Sequence, residues 1–359
     1  MSVVFINPGK ANEIYWLTAS RAMAAAAKQL GVQLEVMYAE RNHLNAIVFA
    51  RQIAARPKEL RPDYVILSND YASAPEVLRL LDAAGVYSFL AFSGIAEQRE
   101  RALVQLPRQR YPHWLGSLEP DSIEAGYLTM QALAAQALQQ KLYADDGKIH
   151  VLAIAGDRAT TTSRKRNQGM LQALASHPEL VLDQLVYGEW QKAKASEQAR
   201  WLYQRHPKAR VVWSGNDLMA FGAMESWRAR GGKPGQDMLF CAINTSVEAF
   251  AALRQGQLHA LAGGHFIAGA FALVMLYDHQ HGRDFIDEGM ELTRSMFILF
   301  SERETQLFLH QFSNLNFEQV NFRQFSKALN PAIKQYQFSF RQILEAKGVQ
   351  GAESRSHRK

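Results

Sequence analysis

The sequence has little cysteine, no long apolar run and no strong excess of charge of either sign. Cys241 is the only cysteine among 359 residues, which excludes an intramolecular disulfide and a cysteine-rich metal site. No window reaches the roughly 18 consecutive apolar residues that a membrane-spanning helix needs. The 40 basic and 34 acidic residues leave a net charge of +6 that is spread along the chain. This balance argues against a dedicated nucleic-acid surface.

Sequence motifs for catalysis and for cofactor binding are also absent. The phosphate-loop pattern G-x-x-x-x-G-K-[ST] does not occur, and the turn at residues 7–12 lacks the G-x-G-x-x-G of a dinucleotide site. The eleven histidines include no H-E-x-x-H motif, and there is no G-x-S-x-G elbow for a nucleophilic serine. We therefore predict no catalytic residues, no metal site and no cofactor.

The N-terminus shows no secretory signal. Met1 and Ser2 run directly into the apolar segment Val3–Asn7, without a basic region or a longer apolar stretch. We expect either a cytosolic chain or, preferably, a mature periplasmic chain from which a leader has been removed. A single thiol is compatible with both compartments.

The pattern of apolar residues predicts an α/β protein. With 48% apolar and 21% charged residues the chain has a globular composition, and its length favours two domains. Short apolar runs alternate with helical patterns, which is typical of β-α-β units around a parallel sheet. The alternation breaks at Glu97–His113 and resumes at Ile123, so we predict two α/β modules up to about residue 264. The predicted strands are Val3–Asn7, Gln33–Tyr38, Tyr64–Ser68, Tyr87–Phe92, Lys148–Ile154, Gln184–Tyr187, Arg210–Ser214, Met238–Asn244, His259–Gly264 and Arg294–Phe300.

Polar and aromatic residues follow the carboxyl ends of these strands, where open α/β sheets bind their ligands. They are Asn12, Tyr15, Trp16, Phe92 and Ser93 in the first module, and Asp157, Arg158, Arg164, Trp190, Asn216, Asp217 and Asn244 in the second. Aromatic faces beside amide and guanidinium groups suit a small polar ring, because the ring stacks while its hydroxyls are bonded in fixed directions. Each residue alone also fits a packing, helix-capping or surface ion-pair role. Their joint placement predicts a ligand site.

Four segments resemble the type I periplasmic binding protein family, which includes ribose- and galactose-binding proteins. They are residues 12–16, residues 162–169, residues 213–222 with an N-D-x-M-A-x-G run, and the position of Asn244. The resemblance covers about residues 3–300 and implies two doubly wound parallel-sheet lobes joined by a three-crossing hinge. The implied N-terminal lobe is 1–116 plus 265–291, and the C-terminal lobe is 117–264 plus 292–312.

The chain continues past the usual end of that fold. We expect residues 313–359 to form an extension that wraps back onto a lobe and ends in a polar tail at 351–359. Seven aromatic residues lie between Phe312 and Phe340. So many aromatic side chains predict a packed segment rather than a solvated one.

The resemblance also implies roles for individual residues. Tyr15 and Trp16 would sandwich the ligand, and Trp190 would face it from the second lobe. His265 would lie near the last crossing between the lobes. The residues implied as hydrogen-bonding partners of the ligand are Asn12, Arg164, Asn216 and Asn244.

Two positions depart from the family pattern. Phe92 and Ser93 stand where many sugar binders carry an Asp-Arg pair, and Asn244 stands where they carry an aspartate. We therefore expect a small polar ligand that is sugar-like or carbonyl-rich. Arg158 and Arg164 would also accept an anionic ligand.

The resemblance implies a monomeric, non-enzymatic solute receptor that closes around its ligand and presents it to the permease of an ABC transporter. Two alternatives remain open at this stage. A receptor for a sensor kinase or cyclase would have the same sequence features. An α/β enzyme acting on a sugar or nucleotide is the other alternative, and the missing phosphate loop counts against it.

Overall fold

The structure is a computed structural model that describes residues 1–346, so the predicted polar tail lies outside the described residues. These residues fold into two compact units. Unit 1 comprises Met1–Pro120, His265–Met296 and the segment from His310 onward, and unit 2 comprises Asp121–Gly264 and Phe297–Leu309. The chain therefore passes between the units at three positions, and the C-terminal segment adds a fourth passage after Leu309.

The described residues form twelve strands and twelve α-helices. The strands are β1 (Ser2–Asn7), β2 (Gln33–Tyr38), β3 (Tyr64–Leu67), β4 (Tyr87–Ala91), β5 (Trp114–Pro120), β6 (Ile149–Ala155), β7 (Leu180–Tyr187), β8 (Val211–Ser214), β9 (Leu239–Ile243), β10 (Ala260–Gly263), β11 (Glu291–Arg294) and β12 (Ile298–Leu299). The helices are α1 (Ile14–Leu30), α2 (His43–Ala54), α3 (Ala74–Ala83), α4 (Gln98–Val104), α5 (Ser122–Gln139), α6 (Thr161–Ala175), α7 (Lys192–Arg205), α8 (Asp217–Arg228), α9 (Val247–Arg254), α10 (Ala268–Gln280), α11 (Glu302–Phe312) and α12 (Phe340–Glu345). Within residues 1–346, none of the helices is long and apolar enough to cross a membrane.

Unit 1 is built on a six-stranded parallel sheet with the order β2-β1-β3-β4-β5-β11. Strand β1 shows why its apolar run is continuous. Val4 and Ile6 pack with residues of α2 and α3, whereas Phe5 between them lies 6.5 Å from the ring of Trp16 on α1. Alternate side chains of a strand point to opposite faces, so both faces of this sheet are covered by helices.

Unit 2 repeats the arrangement with the strand order β7-β6-β8-β9-β10-β12, in which only the β10–β12 pair is antiparallel among the described strands. Helices α5 and α6 pack closely because each has a glycine at the contact. A Cβ on Gly126 would lie 1.9 Å from the carbonyl oxygen of Arg166, and a Cβ on Gly169 would lie 1.9 Å from that of Ile123. This close contact fixes the first half of α6, which carries several candidate site residues.

The predicted α/β pattern is confirmed, but one predicted strand is wrong and two elements were missed. The predicted strand Arg294–Phe300 is wrong: the segment forms the end of β11 in unit 1 and β12 in unit 2, with a break between them. Strand β5 was missed because Gly116 and Ser117 interrupt its apolar run and both residue types weaken a strand pattern. Helix α4 falls in the region that the sequence pattern left without an element.

The C-terminal segment from His310 packs on unit 1. Six of its seven aromatic residues are buried, and Phe325 is half-buried. Phe338 stacks on Phe271 of α10 with ring centroids 4.4 Å apart, and Phe317 packs on Phe266 at 5.3 Å. The segment thus covers apolar residues of α10 and of the turn before it.

Candidate ligand-binding site

An aromatic cluster forms at the carboxyl ends of β1 and β4 in unit 1. Trp16 is 5% exposed and meets Phe92 edge to face, with ring centroids 5.1 Å apart. Tyr15 meets Trp16 edge to face at 4.9 Å and an interplanar angle of 76°, and it stacks on His265 at 4.7 Å. The rings of Tyr15 and Trp16 are nearly perpendicular. They do not form the two faces of the predicted sandwich, because the Trp16 ring packs against Phe92.

Two residues at the end of β1 hold Trp16 in this position. A Cβ on Gly9 would lie 2.0 Å from Cδ1 of Trp16, so the indole needs a glycine beneath it. The Asn7 amide donates to the carbonyl oxygen of Trp16 at 3.3 Å and to the hydroxyl of Ser20 at 3.0 Å, and it accepts from the Gly9 N–H at 2.9 Å. Asn7 is therefore a supporting residue that sequence analysis missed, since a strand-end asparagine looks like an ordinary turn residue.

Some buried polar groups of unit 1 have no hydrogen-bond partner within residues 1–346. The indole N–H of Trp16 and the hydroxyl of Ser93, which is 2% exposed, have none within the described part of the chain. The loop that carries Ser93 is held by Asn69, whose backbone N–H donates to the Ser93 carbonyl at 3.0 Å and whose amide donates to the Gly94 carbonyl at 3.1 Å. Buried groups of this kind normally have partners, so they are candidates for contact with a ligand.

The other predicted residue of unit 1 has a different environment. Asn12 is exposed in the turn that precedes α1, unlike the buried Trp16, Phe92 and Ser93.

Phe92 has a left-handed backbone, with φ of 71°. Such a conformation is unfavourable for a bulky residue, and strained positions of this kind cluster at active sites and ligand-binding sites.

In unit 2, a hydrogen bond joins the side chains of Asp157 and Trp190. The Asp157 carboxylate accepts from the Trp190 indole N–H at 2.6 Å and from the backbone N–H groups of Ala159 and Thr160 at 2.7 Å each. A Cβ on Gly156 would lie 2.1 Å from Cζ2 of Trp190, so glycine is required there as well. The carboxylate oxygens of Asp157 therefore orient both the Trp190 ring and the loop before α6.

The two predicted arginines near α6 differ in exposure. Arg158 is exposed, and its guanidinium lies 4.6 Å from the centre of the Tyr187 ring. Arg164 is half-buried near the start of α6, and its Nη2 donates to the hydroxyl of Thr161 at 3.4 Å.

A third arginine was not predicted. Arg166 is 4% exposed, donates from Nη1 to the Gly215 carbonyl at 2.7 Å and lies 5.6 Å from the centre of the Trp190 ring. Its neighbours Ser163 and Asn167 are buried on the same helix, and their side-chain oxygens lack hydrogen-bond partners among residues 1–346. Arg166 is buried and Arg164 is half-buried because of the way α6 is oriented in the unit. The sequence contained no signal of that orientation.

The ends of β8 and β9 meet around a buried carboxylate. Asn216 caps α8 by accepting from the Met219 N–H at 2.8 Å. Asp217 is fully buried and accepts from the Asn244 amide at 2.8 Å and from the Ser246 hydroxyl at 2.5 Å. Burial raises the pKa of the Asp217 carboxyl. Because its NH₂ group is held by Asp217, the amide of Asn244 has a fixed orientation.

The candidate residues are thus grouped at strand ends in each unit, as in ligand-binding α/β proteins. A search of residues 1–346 found no cluster of three or more His, Cys, Asp or Glu side chains arranged for a metal ion. A family model for the periplasmic binding protein domain matches residues 3–284. The chain belongs to the periplasmic binding protein family. The predicted family and fold are confirmed, and this family consists of non-enzymatic solute receptors, which decides against the alternative of an α/β enzyme.

Solved structures of periplasmic binding proteins resemble this chain over most of its length. A periplasmic sugar-binding protein from Pseudomonas fluorescens is 36% identical, with a TM-score of 0.84 over 96% of this chain and 99% of that one. A solute-binding protein of an ABC transporter from Actinobacillus succinogenes, with bound D-allose, is 16% identical, with a TM-score of 0.71 over 85% and 99% of the two chains.

A third similar structure is the periplasmic binding protein of the arabinose ABC transporter from Shewanella sp. ANA-3, bound to arabinofuranose. It is 19% identical, with a TM-score of 0.65 over 94% of this chain and 100% of that one. At these lower identities the likeness concerns the fold. A comparison with curated proteins gave no match.

Proposed function

We propose that this protein is a periplasmic sugar receptor that delivers its ligand to the permease of an ABC transporter. The observation that carries the proposal is the 36% identity, over 96% of the chain, to a periplasmic sugar-binding protein. The candidate residues support it because sugars need aromatic rings for their C–H faces and polar groups for their hydroxyls. Both kinds of group are present at the strand ends of each unit.

Unit 1 offers neutral partners for sugar hydroxyls. The Trp16 indole N–H can only donate, and the Ser93 hydroxyl can both donate and accept. Both are buried and have no hydrogen-bond partner within residues 1–346, so a bound hydroxyl would satisfy groups that are otherwise costly to bury. Tyr15, which is half-buried and stacked on His265, adds an aromatic ring whose centroid lies 4.9 Å from that of Trp16.

Unit 2 offers an oriented ring and oriented polar groups. Trp190 is fixed by its hydrogen bond to Asp157 and by contact with Arg166. Asn244 is fixed by the hydrogen bond from its amide to Asp217. Groups held in advance lose little conformational entropy on binding, which is what a receptor without chemistry needs.

A thermal-shift screen of neutral pentoses and hexoses tests this function with two variants. Arg164→Ala in unit 2 and Tyr15→Ala in unit 1 should each reduce the ligand-induced rise in Tm, because stabilisation by a ligand follows RT ln(1 + [L]/Kd). Arg200→Ala and Tyr143→Ala remove the same residue types at exposed positions and should respond like wild type. Equal stabilisation of all five proteins by the same sugar would reject the assigned residues, and the absence of any shift across the panel would reject the function.

A further inference from the structure

We propose that Ser117 and Glu119, together with Gly94, form a hydroxyl-binding subsite on unit 1 that selects neutral sugars carrying two adjacent hydroxyl groups. The inference rests on the proposed sugar-receptor function. Neither Ser117 nor Glu119 is signalled by the sequence, because both lie on β5, the strand that its pattern did not predict.

The two side chains lie on the same face of the sheet at the carboxyl end of β5. Residues two apart on a strand point the same way, and Leu118 between them is fully buried on the other face. The Ser117 backbone N–H donates to the Met290 carbonyl at 2.8 Å, so its main chain is satisfied. Its hydroxyl is not: Ser117 is 1% exposed, and Oγ has no hydrogen-bond partner in the described part of the protein.

Both side chains reach the same point of the loop after β4. A Cβ on Gly94 would lie 2.5 Å from Oε1 of Glu119 and 3.2 Å from Oγ of Ser117. Glycine therefore allows the carboxylate to lie directly over the backbone next to Ser93. The loop is held by Asn69, whose amide donates to the Gly94 carbonyl at 3.1 Å and to the Glu100 carboxylate at 2.6 Å. These hydrogen bonds of Asn69 fix the position of the loop that carries Gly94.

The chemistry of the pair matches a vicinal diol. A carboxylate accepts hydrogen bonds from hydroxyl groups, and charge-assisted bonds of this kind are shorter and stronger than neutral ones. A serine hydroxyl can accept from, or donate to, the adjacent hydroxyl of the same sugar. The negative charge of Glu119 opposes an anionic group at this position, so the subsite favours neutral sugars over sugar phosphates and sugar acids.

Isothermal titration with the sugar that binds wild type most tightly, chosen from D-ribose, L-arabinose, D-galactose and D-allose, tests the subsite. Ser117→Ala should weaken binding roughly 5- to 20-fold and Glu119→Gln roughly 10- to 100-fold. Ser117→Ala should leave the Tm of the ligand-free protein unchanged or slightly higher, because it removes a hydroxyl that has no partner. Gly94→Ala should weaken binding as well, since its Cβ displaces the Glu119 carboxylate.

The matched control is Ser88→Ala on β4, another buried serine, whose hydroxyl donates to the His113 carbonyl at 3.4 Å. It should bind the sugar within twofold of wild type. A monodeoxy analogue that lacks the contacted hydroxyl should bind Ser117→Ala and wild type equally, which a purely structural role of Ser117 does not predict. If wild type binds a sugar but Ser117→Ala and Glu119→Gln both bind it within twofold of wild type, the subsite is rejected while the receptor function stands. If wild type binds none of the sugars, the proposed function itself fails and the subsite with it.

Discussion

Replacing Asp278 with alanine tests how the C-terminal segment is held on unit 1. Asp278 lies near the end of α10 and is fully buried. Its carboxylate accepts from the backbone N–H groups of Lys327 at 2.7 Å and Ala328 at 3.0 Å, and from the Tyr336 hydroxyl at 2.8 Å. The Ser326 hydroxyl donates to it as well. One carboxylate therefore satisfies four donors of the segment that follows α11.

The expected loss of stability follows from these four donors. A buried donor left without a partner costs about 1–3 kcal/mol, and partial relaxation of the segment will satisfy some of them. We expect Asp278→Ala to lower the free energy of unfolding by about 3–5 kcal/mol, because two or three of the four donors would stay buried without a partner. Tyr336→Phe removes a single hydroxyl donor and should cost about 1 kcal/mol.

Equilibrium unfolding in urea, followed by tryptophan fluorescence, measures both variants against wild type. Limited proteolysis should at the same time show faster cleavage within residues 313–346 of Asp278→Ala. The reasoning is refuted if Asp278→Ala costs less than about 1 kcal/mol, or no more than Tyr336→Phe, since the carboxylate would then not be the anchor of the segment.

Two further predictions concern unit 2. Asp157→Ala should weaken sugar binding roughly 5- to 50-fold although Trp190 is still present, because the Trp190 ring loses its charged hydrogen-bond acceptor. Titration calorimetry measures this effect, and a Kd equal to that of wild type would contradict the prediction. Burial lowers the pKa of His150, but its hydrogen bonds to Asp183 and Asp146 outweigh burial and raise the pKa above the ordinary value of 6.5. The charged pairing of His150 therefore stabilises the fold fully below about pH 6.5, and this stabilisation is lost as the pH rises through the higher pKa of the folded state. We expect His150→Gln to lower the Tm more at pH 5.5 than at pH 8.5. Equal losses of Tm at both pH values would contradict the charged pairing.

Much of the fold could be predicted because parallel strands covered on both faces need continuous apolar runs. The segment predicted at Val3–Asn7 is β1 at Ser2–Asn7, and the strand predicted at Gln33–Tyr38 has the observed bounds. Strand β5 could not be predicted in the same way. Its apolar run is interrupted at Gly116, which lies against Met290, and at Ser117, which lies beside Gly94, and contacts with residues so distant in sequence leave no periodic signal.

The candidate site could be predicted as a set of strand-end residues but not as a set of contacts. Asp157 and Trp190 were both predicted as members of the ligand site, and only Trp190 was expected to face the ligand. In the structure a hydrogen bond joins these two residues, which are 33 positions apart in the sequence, and Asp157 supports the ring. Arg164 and Arg166 are two residues apart on α6, and local sequence cannot decide which of them is buried. The side-chain roles depend on helix packing, which is a property of the whole unit.

Titration calorimetry of the wild-type protein with neutral pentoses and hexoses tests the central claim most directly, combined with mass spectrometry of the sugar released afterwards. The account predicts saturable binding of at least one neutral sugar with a Kd in the micromolar range or below, and recovery of that sugar chemically unchanged. Chemical conversion of the bound sugar, or a failure of every neutral sugar to bind, would contradict a receptor for sugars.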